Sequence, residues 1–277
     1  NKVRSNFISV TSDTIQKFLP KAIDLADEPL PTPNCILHTI LAHAINAKDF
    51  RVVLNGVGGD ESFFGYHDHL LYLLRELEQS QDPSFPRELA DWQKTQGRPF
   101  ETYEKFCAFI RTDNARISPD FLARSKGMDY RQCLSEEMQT HCLSQSAFFT
   151  TGDFSTKSKQ IADISRLTLP YALRMDDNCY MAQAVETRQP FLDYRLIEFG
   201  LSLPSKFKVH RGISKFLLRS AVRDFVPATR RRDLRKIGLN LPIDTWMRGA
   251  LKPWLLDNIS GKHLPLYKFA DHRFVQK

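Results

Sequence analysis

Three glycines and two carboxylates crowd into one short stretch, Gly56, Gly58, Gly59, Asp60 and Glu61. Glycine lets a backbone approach a ligand closely. Carboxylates opening a helix beside such a turn are a seat for phosphate-bound magnesium, although a tight turn with an acidic cap and nothing bound has the same letters. Between Leu169 and Pro204, Arg174, Asp176, Asp177, Glu186, Arg188 and Asp193 stand among apolar residues. Leaving such charges buried and alone would cost several kcal/mol, so pairing or a ligand is expected. Lys236 is followed by Gly238 and then Pro242, so turn chemistry holds its backbone, and a lysine placed that way reaches into a cleft. His67-Asp68-His69 has no further cluster at metal-ligand spacing and reads as helix surface.

The elements that must position these groups follow from pattern. Phe7-Ile8-Ser9-Val10 is a candidate strand, and Ser12 or Asp13 caps a helix to about Ala26 that Pro20 interrupts. After the proline loop Asp27 to Pro33, Asn34 caps a second helix with Ile36, Leu37, Ile40, Leu41 and Ala44 on one face. Val52-Val53-Leu54 is the kind of run buried in a parallel sheet. Helix, connection and strand make half of a doubly wound α/β unit, whose ligands gather at the carboxyl ends of strands. Helices are expected near 60–79, 99–112, 128–144 and 156–168, with no strand among them. Phe100, Tyr103, Phe106, Phe109 and Ile110 fit a packing face. Arg174 to Val185 reads as a helix that Glu186-Thr187-Arg188 ends ahead of Pro190, another helix starts at Asp193, and one runs from Gly212 to about Val226.

With 42% hydrophobic and 26% charged residues the chain is ordinary globular material, which excludes disordered and fibrous classes. No apolar run is long enough to span a bilayer, and the first residues lack a signal-peptide core, so a cytoplasmic protein with no membrane partner is expected. Five cysteines, odd in number and without C-x-x-C pairing, suit reduced thiols and argue against zinc. The net charge of +7 includes a cluster, Arg230, Arg231, Arg232, Arg235 and Lys236. It lacks interleaved aromatics, and no nucleic-acid partner is expected.

Taken together the motifs resemble the synthetase domain of the asparagine synthase family. The resemblance is collinear through Asp27-Glu28-Pro29, Val53 to Glu61 with Gly65-Tyr66, Arg174-Met175-Asp176, Glu186 to Asp193, Lys215, Leu218-Arg219, Lys236 to Leu239, Pro242 and Trp246. It implies an α/β, mostly helical fold over 1–277: a partial adenine-nucleotide α-hydrolase-like core, a doubly wound parallel sheet, with a helical insertion near 80–160. It implies an ATP-dependent, magnesium-requiring ligase that activates a carboxylate as an acyl-adenylate for attack by ammonia or an amine. By the same resemblance Asn55 and Gly56 border the nucleotide, and Asp60 holds magnesium on the pyrophosphate. Lys236 neutralises charge at the α-phosphate, Glu186 orients Lys236 or Tyr66, and Tyr66 with that glutamate assists loss of the amine proton. Lys236, Glu186, Tyr66 and Asp60 are expected to converge on one cleft.

Two departures shape the expectation. Val57 stands where the family carries a glutamate tied to aspartate activation, which argues against aspartate as the carboxylate. The family's Ser-Gly-Gly-x-Asp-Ser loop and glutaminase domain are not among these residues, so an upstream segment or separate chain would supply them. The competing reading is a non-catalytic binding or assembly subunit that has lost nucleotide turnover.

Overall fold

The computed structural model describes residues 4–26, 30, 32–111, 133–145, 155–235, 238, 240–261 and 264–271. Asp27-Glu28-Pro29, Lys236, Ile237, Leu239 and the start of the helix expected at 128–144 lie outside the described residues. In chain order the helices used below are α1 (Ser12–Ala26), α2 (Asn34–Asn46), α3 (Gly59–Phe63), α4 (His67–Gln79), α5 (Phe85–Gln96), α6 (Phe100–Arg111), α7 (Glu136–Gln145), α8 (Thr156–Ser165), α9 (Leu169–Met181), α10 (Tyr194–Ser202), α11 (Ser205–Lys208) and α12 (Phe216–Ala221). Strands β1 (Val52–Leu54) and β2 (Glu186–Arg188) pair in parallel, Val52 opposite Glu186 and Leu54 opposite Arg188. The chain is thus mostly helical with a small parallel sheet. It divides into two compact units: Asn1–Gly58 with Ser165–Asp193 and Arg235–Asn258, and Gly59–Ile164 with Tyr194–Leu234 and Ile259–Lys277.

In the first unit α1 buries Ile15, Phe18 and Ala22, one stripe at helical spacing, against Ile36 and Ile40 of α2 and Leu251. Pro20 does not interrupt α1. It faces solvent, where the carbonyl it frees can bind water. Phe7 to Val10 form no strand, and Phe7 is 94% exposed. Asn34 opens α2 instead of capping it; the N-cap is Pro33. A second cluster, Cys35, Ala42, Cys179, Tyr180 and Val185, seats α2 and α9 together.

The sheet departs from expectation twice. Glu186-Thr187-Arg188 is a strand, not the end of a helix: α9 stops at Met181, and Ala184 takes a left-handed φ of 52° before the chain extends. The β1 run is also not enclosed. Val52 and Leu54 are 44% and 68% exposed, and Glu186 and Arg188, which share their face by register, are exposed too.

In the second unit α4 is buried on every side from Asp68 to Leu74 and carries the core with Phe64, Trp92, Tyr103, Phe106 and Val209. Tyr103 and Phe106 pack as the spacing of α6 predicts. The helix expected over 60–79 breaks at Phe64, whose φ is 59°. Gly65 N–H donates to the Asp60 carbonyl at 2.8 Å, a Schellman-type end to α3 built without a glycine at the left-handed position. The helix expected from Gly212 is shorter, Phe216–Ala221, because Lys215 is left-handed with φ 54°. α5 was not anticipated.

His67-Asp68-His69 is not helix surface. His69 and Asp68 are buried, and His67 stacks on Trp92 with centroids 5.9 Å apart. Asp68, His69 and Asp163 place ligand-type atoms within 4.8 Å of one another. An ammonium already serves them. Lys159 Nζ donates to both Asp163 oxygens at 2.8 Å and lies 2.9 Å from Asp68 Oδ2, while His69 Nε2 is 2.7 Å from Asp163 Oδ2. Cys35, Cys107, Cys133 and Cys179 are free thiols, as expected. Among the described residues no helix is long and apolar enough to cross a membrane.

Candidate functional site

The glycine turn begins where β1 ends. Asn55 N–H donates to the Arg188 carbonyl at 3.0 Å, extending the ladder by one bond, and its side chain then turns the backbone. Asn55 Oδ1 accepts from Val57 N–H at 3.1 Å, an Asx turn. Asn55 Nδ2 donates to Asp176 Oδ2 at 2.7 Å, and Asp176 Oδ1 lies 2.8 Å from His38 Nδ1. A buried carboxylate of α9, 1% exposed, thus grips the asparagine that shapes the turn. Sequence reasoning placed Asp176 in a charged stretch without this role and missed His38; the signal was the paired demand of a buried aspartate for donors.

Two glycines differ in what they require. Gly58 has φ 94°, and a Cβ there would run into the Leu192 side chain, so the fold itself demands glycine. A Cβ at Gly56 would meet nothing within 4 Å, and Gly56 is exposed. Among the described residues none gives an internal reason for that glycine.

Glu186 lies in β2 of the same unit. Its carboxylate accepts from Arg188 Nε at 2.7 Å and from Nη2 at 3.4 Å. The Arg188 hydrogen bond and charge hold the Glu186 carboxyl below its usual value. Because Arg188 pairs with Leu54, this ion pair runs along the sheet toward the carboxyl end of β1.

Asp60 and Tyr66 belong to the second unit. Asp60 sits in the first turn of α3, and its Oδ1 lies 3.0 Å from Lys215 Nζ. A Cβ at Gly65 would strike the Asp60 carboxylate and the Lys215 stem, so Gly65 is what lets this pair cross the backbone. Tyr66 precedes α4 in an extended conformation, and its hydroxyl donates to Glu61 Oε1 at 2.6 Å. Glu61 is 2% exposed. The structure therefore brings Asn55 and Gly56 into one turn with Glu186 on the neighbouring strand, and it brings Asp60 and Tyr66 into one α3–α4 corner. Lys236 is outside the described residues. Glu61 and Lys215 emerge as the partners of Tyr66 and Asp60.

A glycine turn at the carboxyl end of a parallel strand, held by Asp176 of α9, belongs to an α/β architecture, and ligands of such folds gather at that end of the strands. Residues 2–277 match the family model described as asparagine synthase, and the chain belongs to the asparagine synthase family. It is 27% identical over 264 residues to asparagine synthetase (glutamine-hydrolyzing) 1 of Bacillus subtilis, covering 92% of this chain and 40% of that protein. It is 26% identical over 255 residues to a putative asparagine synthetase (glutamine-hydrolyzing) of Mycobacterium tuberculosis, covering 88% and 38%. To the amidase chyE of Penicillium rubens it is 23% identical over 297 residues, covering 98% and 44%. The chain spans about two fifths of the length of these curated relatives. No solved structure matches it.

Proposed function

We propose that the protein is an ATP-dependent amide-forming ligase, activating a carboxylate as an acyl-adenylate for attack by ammonia or an amine. The observation that carries this is the β1 turn: Asn55 is fixed by Asp176 and by its own Asx turn, while Gly56 keeps open space that no described residue fills. A nucleotide lying against the Asn55-Gly56 backbone accounts for a glycine the fold does not otherwise need. Membership of the asparagine synthase family and the names of the bacterial relatives support the chemistry. On this reading the core is of the adenine-nucleotide α-hydrolase type within a single 1–277 synthetase domain. Ammonia would come from a glutaminase segment or partner.

Lys236 is assigned to the charge that develops at the α-phosphate. Tyr66 is assigned to the amine proton, with a carboxylate to receive it, and Glu186 to orienting Lys236 or Tyr66. Asp60 suits magnesium: a carboxylate offers more acceptor sites than Lys215 takes, and magnesium is usually held by one or two carboxylates and substrate phosphates. The ion would neutralise the pyrophosphate. Val57 argues for a carboxylate other than aspartate.

Val57 and the ion pair on Asp60 also favour a second reading, a binding or assembly subunit without turnover. Pyrophosphate release by the intact protein, given ATP, magnesium, ammonia and a panel of carboxylates, separates the two. Lys236→Ala is expected to lower kcat by about 10²–10³-fold. Unchanged release would remove Lys236 from the mechanism, and ATP binding without release from any carboxylate would favour the second reading.

A further inference from the structure

The second unit contains a cleft that the amide-forming chemistry does not use. Its volume is about 630 Å3, within the range of roughly 300–1,000 Å3 typical of small-molecule sites. Leu73, Leu77 and Val209 line it, together with Lys157, Lys206 and Lys208. Two carboxylates also border it, and both already accept several hydrogen bonds. Glu76 Oε2 accepts from the Thr156 amide at 2.9 Å and from its hydroxyl at 2.6 Å. Glu88 accepts from the Arg211 amide at 2.9 Å and the Gly212 amide at 3.2 Å.

The lysines have no such partners. Lys157 and Lys206 form no ion pair among the described residues. Lys208 is only 3% exposed, yet its contacts are neutral: Nζ donates to Gln160 Oε1 at 2.6 Å and lies 4.8 Å from the Phe64 ring centroid. At contact distance this buried ammonium meets an amide and an aromatic face and no carboxylate, Glu76 attracting it only from beyond ion-pair range. Burial, with Lys157 adding to it and Glu76 opposing it, brings the Lys208 pKa down to about 8.

We propose that this cleft binds a small organic oxyanion carried on an apolar body, with Lys208 as its counter-ion, Lys157 and Lys206 strengthening the attraction, and the leucine and valine wall receiving the body. None of the lining residues named belongs to the β1 turn, and the proposal does not depend on the ligase reading. It has a connection of its own to the signature segment. Gln160 Nε2 donates to the carbonyls of Glu61 at 3.0 Å and Ser62 at 2.7 Å, so an anion drawing Lys208 away from Gln160 acts on α3.

Octanoate, octyl phosphate and inorganic phosphate, titrated calorimetrically into the intact protein, test the proposal. The two octyl compounds are expected to bind saturably at one equivalent per chain near pH 7, and inorganic phosphate about tenfold more weakly, having no apolar body to bury. Octanoate binding should fall about tenfold or more between pH 7 and 9.5, as Lys208 passes through its pKa of about 8. The groups facing that ammonium are Lys157 and Gln160 of α8, Glu76 of α4 and Lys206 of its own helix. Lys208→Met should abolish binding. Lys206→Glu, at an exposed position that leaves the fold alone, should weaken it about fivefold. Absence of saturable octyl binding, inorganic phosphate binding as tightly as octyl phosphate, or affinity unchanged in Lys206→Glu and across the pH range would each overturn the proposal.

Discussion

Each unit sets a histidine against a buried aspartate, and the two pairs differ in what completes them. In the first, His38 and Asp176 continue to Asn55, whose side chain shapes the backbone turn after β1. In the second, His69 and Asp163 meet Lys159 and Asp68 across α4 and α8. An open chain of polar contacts that ends on a turn positions something at that turn. One that joins α4 to α8 fastens two helices. The residue types overlap, so type alone assigns neither role; the end of the chain does.

The largest expected effect lies in the α4–α8 network. Lys159→Met keeps the stem and removes the ammonium, leaving the Asp68 and Asp163 carboxylates buried without it. We expect a loss of about 3–5 kcal/mol in thermal or denaturant unfolding. The variant also sharpens the comparison. With the ammonium gone, Asp68, His69 and Asp163 become a three-ligand set, so added manganese or zinc should raise the melting temperature of Lys159→Met and not that of the parent. If the variant is as stable as the parent, the network does not fasten the helices.

The same network fixes a pH dependence. Burial alone would raise the Asp163 carboxyl, but the hydrogen bond from His69 and the charge of Lys159 outweigh it and hold the group below its ordinary 3.8. A carboxyl with a depressed folded value contributes stability that is complete above the unfolded value and is lost as pH falls through the folded one. Stability should therefore drop below about pH 3.8, and Asp163→Asn should flatten that limb of the pH–stability curve.

The open chain predicts a smaller and coupled effect. Asn55→Ala and Asp176→Ala each break a charge-assisted hydrogen bond, and bonds to charged groups contribute roughly 1.5–3 kcal/mol. Since both act on one contact, the double variant should cost clearly less than the sum. A double-mutant cycle measures this, and strict additivity would mean that Asp176 does not hold the turn.

What the sequence revealed of these arrangements follows the range of the interactions. Local signals were readable: the 3.6-residue stripes of α2 and α6, the apolar run of β1 and the acidic opening of α3. β2 was missed because Glu186-Thr187-Arg188 has no strand pattern of its own; its state comes from pairing with β1. His69 looked like surface because Asp163 is 94 positions away and nothing local announces the partner. The α3–α4 break was hidden because Phe64, not a glycine, takes the left-handed turn. Of the candidate site, the motifs singled out Asn55, Gly56, Asp60, Tyr66 and Glu186 by type and spacing alone. Their partners Asp176, Lys215, Glu61 and Arg188 required coordinates.

The finest test sets two glycines of one turn against each other. Gly58→Ala forces a side chain into a left-handed backbone at φ 94° and against Leu192, and should cost at least about 1–2 kcal/mol. Adding Leu192→Ala should recover the clash but not the backbone strain. Gly56→Ala meets open space, so its stability should stay within about 0.5 kcal/mol of the parent. If the nucleotide lies against that backbone, the same methyl should weaken ATP binding while the melting temperature holds. Should Gly56→Ala leave both stability and ATP affinity untouched, the open space at Gly56 is not where the nucleotide approaches, and the β1 turn loses its claim to be the binding element.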